Sequence, residues 1–221
     1  MNTLGESQKE SGAADETMVP HQISRRDLFT KSLVAGAGVI GLGLLDELPA
    51  YAATLDPEHP LAPANTLQVV GLATDGTIWH TIRFANGSWQ SNFGNVNNQE
   101  GNGGSLRFTD VGCAGIGGDL HVTAVNRNGI IWHTIRFANG SWQSTFGNVN
   151  NQEGNGGSLR FTHVDCANVG GNLHVAAVNR NHIIWHTIRF ANGSWQSTFG
   201  NVNNQEGNGG SLRFTDVGTA G

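Results

Sequence analysis

The chain has 221 residues, a formal net charge of −5 and 13% charged residues, which excludes a disordered polyelectrolyte. From Leu67 onward it carries eight Arg, no Lys and eight Asp plus Glu, so that region is close to neutral. This balance lacks the basic stripe of a nucleic-acid partner and the polybasic cluster of an electrostatic membrane anchor.

Residues 1–23 are polar and aperiodic. Ser24-Arg25-Arg26-Asp27-Leu28-Phe29-Thr30-Lys31 follows, then a Gly-rich apolar run from Leu33 to Leu45 and the small-residue site Ala50-Tyr51-Ala52. This looks like a twin-arginine signal peptide over 1–52, cleaved after Ala52, and predicts a secreted, periplasmic or extracellular product. The apolar run is too short to span a bilayer, so the mature chain is expected to have no membrane span. Residues 53–66 contain three prolines and read as a linker.

The rest is a threefold repeat. Residues 79–111, 132–164 and 185–217 are near-copies at a spacing of 53 residues. The first two differ only at Asn92/Thr145 and Asp110/His163. Within one period, Leu120–Val125 alternates as a strand does, and Asn126–Gly129 supplies a tight turn. Ile130–Phe137 forms a second strand, and Ala138-Asn139-Gly140 turns back into a third, Ser141–Phe146. The polar loop Gly147–Ser158 precedes a fourth strand, Leu159–Val164, and residues 165–172 link to the next repeat. In the third copy Asn181-His182 replaces Asn-Gly, a poorer fit to positive φ.

The expected fold class is therefore all-β, a β-propeller of four-stranded antiparallel blades. The propeller domain is 67–221, with blades at 67–119, 120–172 and 173–221. Propellers close with about four to eight blades, so three predict closure through a homo-oligomer, most simply a dimer. Cys113 and Cys166 occupy equivalent positions and are expected as buried thiols, because equivalent positions should lie a full repeat apart.

The stretches Ile184-Trp185-His186-Thr187-Ile188-Arg189, Gly193-Ser194-Trp195-Gln196 and Phe199-Gly200-Asn201-Val202 with Gln205 resemble the repeats of PLL-like bacterial β-propeller lectins, typified by the fucose-binding lectin of Photorhabdus. The resemblance covers 67–221 and implies sugar binding, of fucose or related sugars, in shallow pockets on or between blades. Typical members have seven blades in one chain.

Pyranose recognition needs aromatic faces and planar hydrogen-bonding groups. The candidate sugar-binding residues are Trp79, Arg83, Trp89, Gln90, Gln99 and Glu100 in the first repeat. The middle repeat offers Trp132, Arg136, Trp142, Gln143, Gln152 and Glu153, and the third Trp185, Arg189, Trp195, Gln196, Gln205 and Glu206. Alternation places Trp132, Thr134 and Arg136 on one face, where Trp132 equally suits the core between blades. No metal or other cofactor is expected: the histidines lack tight ligand spacing, and each polar loop has a single carboxylate. A catalytic role finds no asymmetric constellation beyond the weak pair His163 and Asp165, so no enzyme is expected. The alternatives are a structural or protein-interaction propeller and, behind it, a glycoside-processing enzyme.

Overall fold

The computed structural model describes residues 66–221; the signal peptide and nearly all of the linker read from sequence lie outside them. The fold is all-β and built from three antiparallel sheets. The first contains β1 (Leu67–Leu72), β2 (Ile78–Arg83) and β3 (Gly94–Asn95). The second contains β4 (Phe108–Ile116), β5 (Asp119–Asn126), β6 (Ile131–Arg136) and β7 (Gly147–Asn148). The third contains β8 (Phe161–Val169), β9 (Asn172–Asn179), β10 (Ile184–Arg189) and β11 (Gly200–Asn201).

Each sheet is a meander, as the turns predict. The strand after the polar loop, however, leaves its own repeat. Phe108–Ile116 pairs with β5, in register Cys113↔Val122, and Phe161–Val169 pairs with β9, Cys166↔Val175. The hydrogen-bonded sheet is thus offset from the 53-residue unit, and residues 165–169, read as a linker, continue β8. The reason lies in the Gly-Gly turns at Gly117-Gly118 and Gly170-Gly171, whose positive φ lets two long strands reverse directly into each other. The expected third strand, Ser141–Phe146, shrinks to the Arg136↔Trp142 bridge and the two residues of β7.

No sheet has a core of its own. Alternation along β6 points Trp132, Thr134 and Arg136 toward the first sheet, and Ile131, His133 and Ile135 toward the third. Buried Ile78, Val96, Phe108, Leu120, Val122 and Phe146 form one apolar cluster, between the first and second sheets. Ile131, Val149, Phe161, Leu173, Val175 and Phe199 belong to the other, between the second and third. The inner strands approach closely: a Cβ on Gly112 would meet Asp165 Cα at 2.8 Å. Cys113 and Cys166 are both free thiols, Cys166 buried and Cys113 partly so. They are near enough to influence each other, so the expectation of a full-repeat separation fails at the inner strands, where radial packing brings equivalent positions together.

The polar loop is a built structure rather than a solvated tether. Asn150 is buried; its Oδ1 accepts the Ile131 N–H at 2.8 Å, and its Nδ2 donates to Gly156 O at 2.9 Å and Leu159 O at 3.3 Å. Asn97 and Asn203 repeat the arrangement. Glycine is required opposite, since a Cβ on Gly156 would lie 2.2 Å from Asn150 O. At the other turn His182 adopts φ 62° where Gly76 and Gly129 have 84° and 76°, the strained position expected from sequence. Its Nδ1 donates to Phe214 O at 3.0 Å.

Replacing Asn150 with Ala leaves the Ile131 N–H and the Leu159 carbonyl without their partner, while Gly156 O keeps the Leu159 N–H. Denaturant unfolding is expected to show a loss of roughly 2–4 kcal/mol. A loss well under 1 kcal/mol would contradict the keystone role.

Candidate functional site between the sheets

The polar groups that the repeat supplies converge where one sheet meets the next. At the first junction Thr134 Oγ1 on β6 donates to the buried Glu100 carboxylate of the preceding repeat. Gly101 N donates to Ser144 O at 2.8 Å. Asn102 brackets Phe146, accepting its N–H at 2.8 Å and donating to its carbonyl at 3.0 Å. The second junction repeats each contact: Thr187 to Glu153 at 2.5 Å, Gly154 N to Ser197 O at 2.7 Å, and Asn155 with Phe199.

Histidines and tryptophans complete both junctions. The His80 ring meets Trp142 edge-on at 5.6 Å, and His133 meets Trp195 at 5.5 Å. Across β5 and β6, His121 Nδ1 and His133 Nε2 share a proton at 3.0 Å; His174 and His186 do the same on the third sheet. In the first sheet His80 Nε2 donates to Gln68 Oε1 at 3.0 Å. Burial holds His80, His121, His133 and His186 neutral. Burial, then the Arg136 charge, pulls His80 down to about 4, and burial, then the Arg189 charge, takes His121 to about 4. Among the described residues no group of His, Cys, Asp or Glu is arranged to hold a metal ion.

A cleft of about 350 Å³ opens beside the second junction. Asp119, His121 and Phe137 from the second sheet face Arg189, Phe190 and Asn192 from the third. Burial lowers the proton affinity of the Arg189 guanidinium, yet it stays cationic. Aromatic edges, a cation, a carboxylate and an amide around an open cleft suit a polyhydroxylated ligand.

The structure divides each sequence-defined set between two junctions. Arg136, buried, and Trp142 reach back to the first junction, where Glu100 lies; Glu153 reaches forward to the second, with Arg189 and Trp195. Trp132 and Trp185 pack against the apolar clusters, their Nε1 atoms buried without a hydrogen-bond partner. Trp79 Nε1 donates to Thr77 Oγ1 at 2.9 Å, a bond the other repeats lack because Ile130 and Ile183 replace Thr77. Gln143 and Gln196 close local turns through Nε2 to Thr145 O at 2.6 Å and Thr198 O at 2.7 Å. Gln90 is half-buried, with its Oε1 unbonded. Arg83, Trp89, Gln99, Gln152, Gln205 and Glu206 are exposed. Sequence reasoning missed Asp119, Phe137, Phe190 and Asn192. The aromatic that follows each IWHTIR strand (Phe84, Phe137 and Phe190) was the available signal.

No family model matches this chain, and no curated protein does. Among solved structures, it is similar to AofleA from Arthrobotrys oligospora, with a TM-score of 0.44 and 10% identity over 62% of this chain and 38% of that one. It is also similar to a variant of that protein with three arginines replaced by alanine, with a TM-score of 0.42 and the same identity and coverage. The chain thus spans well under half the length of these structures.

The buried carboxylate sets a pH dependence. Burial pushes Glu100 up to about 7, against the Thr134 hydrogen bond. With the folded value raised, its contribution is fully present below about 4.5 and is lost as pH rises through about 7. The histidines act oppositely: their folded values are depressed, so stability is lost as pH falls below about 6.5 toward 4. Glu100→Gln is expected to raise Tm at pH 8 and not at pH 4.5, by roughly 2–4 °C per kcal/mol relieved. An equal Tm difference at both pH values would rule out the buried carboxylate as its source.

Proposed function

We propose that this chain is an exported, multivalent, non-enzymatic lectin that binds fucose or related sugars in clefts between its blades. The observation that carries this reading is the cleft at the second junction, lined together by Arg189, Asp119, Phe137 and Phe190. A guanidinium and a carboxylate can bracket vicinal hydroxyls, and the aromatic side chains cover C–H-rich sugar faces. The resemblance of the WHTIR and GSW stretches to PLL-like lectins supports fucose as the first sugar to try. Repetition of the junction supports multivalency, in which weak sites gain avidity from effective concentration. Export follows from the twin-arginine pattern at Arg25-Arg26. We further propose that the protein works as a homodimer, since two copies bring the blade number to six.

The first junction is a variant of the second, with Arg136 at the position of Arg189 and Gln68 at that of His121. The two sites are therefore expected to differ in affinity.

Retention on fucose-agarose, followed by calorimetric titration with L-fucose, tests the reading. Arg189→Ala is expected to lower affinity roughly ten- to a hundredfold, the worth of a charge-assisted hydrogen bond of about 1.5–3 kcal/mol. An unchanged melting temperature in that variant separates lost binding from lost fold. Absence of binding to any sugar on a glycan array at high protein density would defeat the proposal.

A further inference from the structure

The two outer faces of the three-sheet stack are the two halves of one more junction. On the first sheet, Leu67 is 56% exposed and Phe93 58%, whereas their equivalents Leu120, Leu173, Phe146 and Phe199 are 1–3% exposed. On the third sheet, Leu212 is 42% exposed, and Ile184, Val202 and Phe214 are half-buried where Ile131, Val149 and Phe161 are buried. The polar groups show the same pattern. Glu100 and Glu153 are buried under the next repeat, and Glu206 is exposed. A Cβ on Gly101 or Gly154 would meet a neighbouring serine carbonyl at 3.3 Å, and one on Gly207 would meet nothing.

The strands are incomplete in the same complementary way. On the side away from β6, β5 is paired by the inner strand β4, and β1 stands at the position of β5 without a described counterpart. One period before β4, the sequence at 55–63 is LDPEHPLAP. Pro57, Pro60 and Pro63 lack the N–H that a ladder needs. Residues 214–221, FTDVGTAG, match residues 108–115 of β4, FTDVGCAG, at all positions but Thr219/Cys113. They lie along β8, with Thr219 N donating to Asp165 Oδ2 at 2.8 Å, and with Thr219, Ala220 and Gly221 lining one cleft with Cys113, Cys166 and Asn168. No strand pairs with them on their other side among the described residues.

We infer that two copies join head to tail, residues 214–221 of each pairing antiparallel with β1 of the other and completing its first sheet. The β4–β5 register transfers directly. Asp216 falls opposite the partner's Leu72, Gly218 opposite the partner's Val70 and Ala220 opposite the partner's Gln68. The same translation gives the side-chain contacts. Phe214 packs on the partner's Phe93, as Phe108 packs on Phe146 at 5.3 Å and Phe161 on Phe199 at 5.2 Å. Asn208 brackets the partner's Phe93, and His186 meets the partner's Trp89. Two such junctions close six blades, within the usual four to eight. Each also builds a further inter-blade site that neither chain holds alone. This deepens the two-copy reading above and does not depend on which sugar is bound.

Sedimentation of the full chain without sugar tests it. The expected mass is twice that of the chain, falling to one chain in Phe93→Asp, a substitution at an exposed side chain that leaves circular dichroism unchanged. A single-chain mass for the parent, a larger ring, or a two-chain mass for Phe93→Asp would each overturn the inference. The last result would spare the dimer while removing this interface, and fucose retention is read separately from both. In a Gln68→Cys/Ala220→Cys variant, oxidation is expected to give a two-chain band on a non-reducing gel, absent from either single variant. A single-chain crosslinked band would show the strand folding back on its own first sheet and would also overturn the proposal.

Discussion

Between consecutive sheets, one asparagine side chain holds both backbone groups of a phenylalanine in the following repeat: Asn102 holds Phe146, and Asn155 holds Phe199. Those phenylalanines are buried in the apolar clusters, so the amide fixes how far apart the sheets stand while the ring fills the space. Everything else at a junction is arranged around this clamp. Because the core lies between sheets, a single repeat exposes both faces of its sheet and gains little by folding alone. Stability then accrues per junction, as in other stacked repeats.

The same constraint explains why the polar residues are shared between neighbours. A carboxylate at position 100 or 153 is inserted under the next sheet, where only a threonine hydroxyl reaches it. Burial raises both carboxyls and depresses the histidines alongside, so the junction is most comfortable with each of these groups uncharged. The neighbouring cleft is different in kind. Arg189 and Asp119 reach open space there, and only such an accessible place offers charge to a ligand.

Much of this was legible in the sequence. The 53-residue spacing gave the repeat, the alternation gave β5 and β6, and Asn-Gly with its relatives gave the hairpins. The poor fit of His182 to positive φ was also visible. The shared face of Trp132, Thr134 and Arg136 followed from simple alternation. What escaped was everything decided across repeats. Whether Phe108–Ile116 pairs backward or forward depends on Gly117-Gly118, a local turn whose effect is to change sheets. The grouping of Glu100 with Thr134, 34 residues away, has no local signature. Grouping candidate residues by repeat therefore joined side chains that face opposite neighbours.

The central claim is that the junction, not the sheet, is the repeating unit of the solution structure. Residue-resolved amide exchange at Gly101, Gly154 and Gly207 tests it most directly. The first two amides donate to Ser144 O and Ser197 O. If the third junction forms between copies, Gly207 is protected to the same degree as Gly154. Free exchange at Gly207 beside a protected Gly154 would contradict the account.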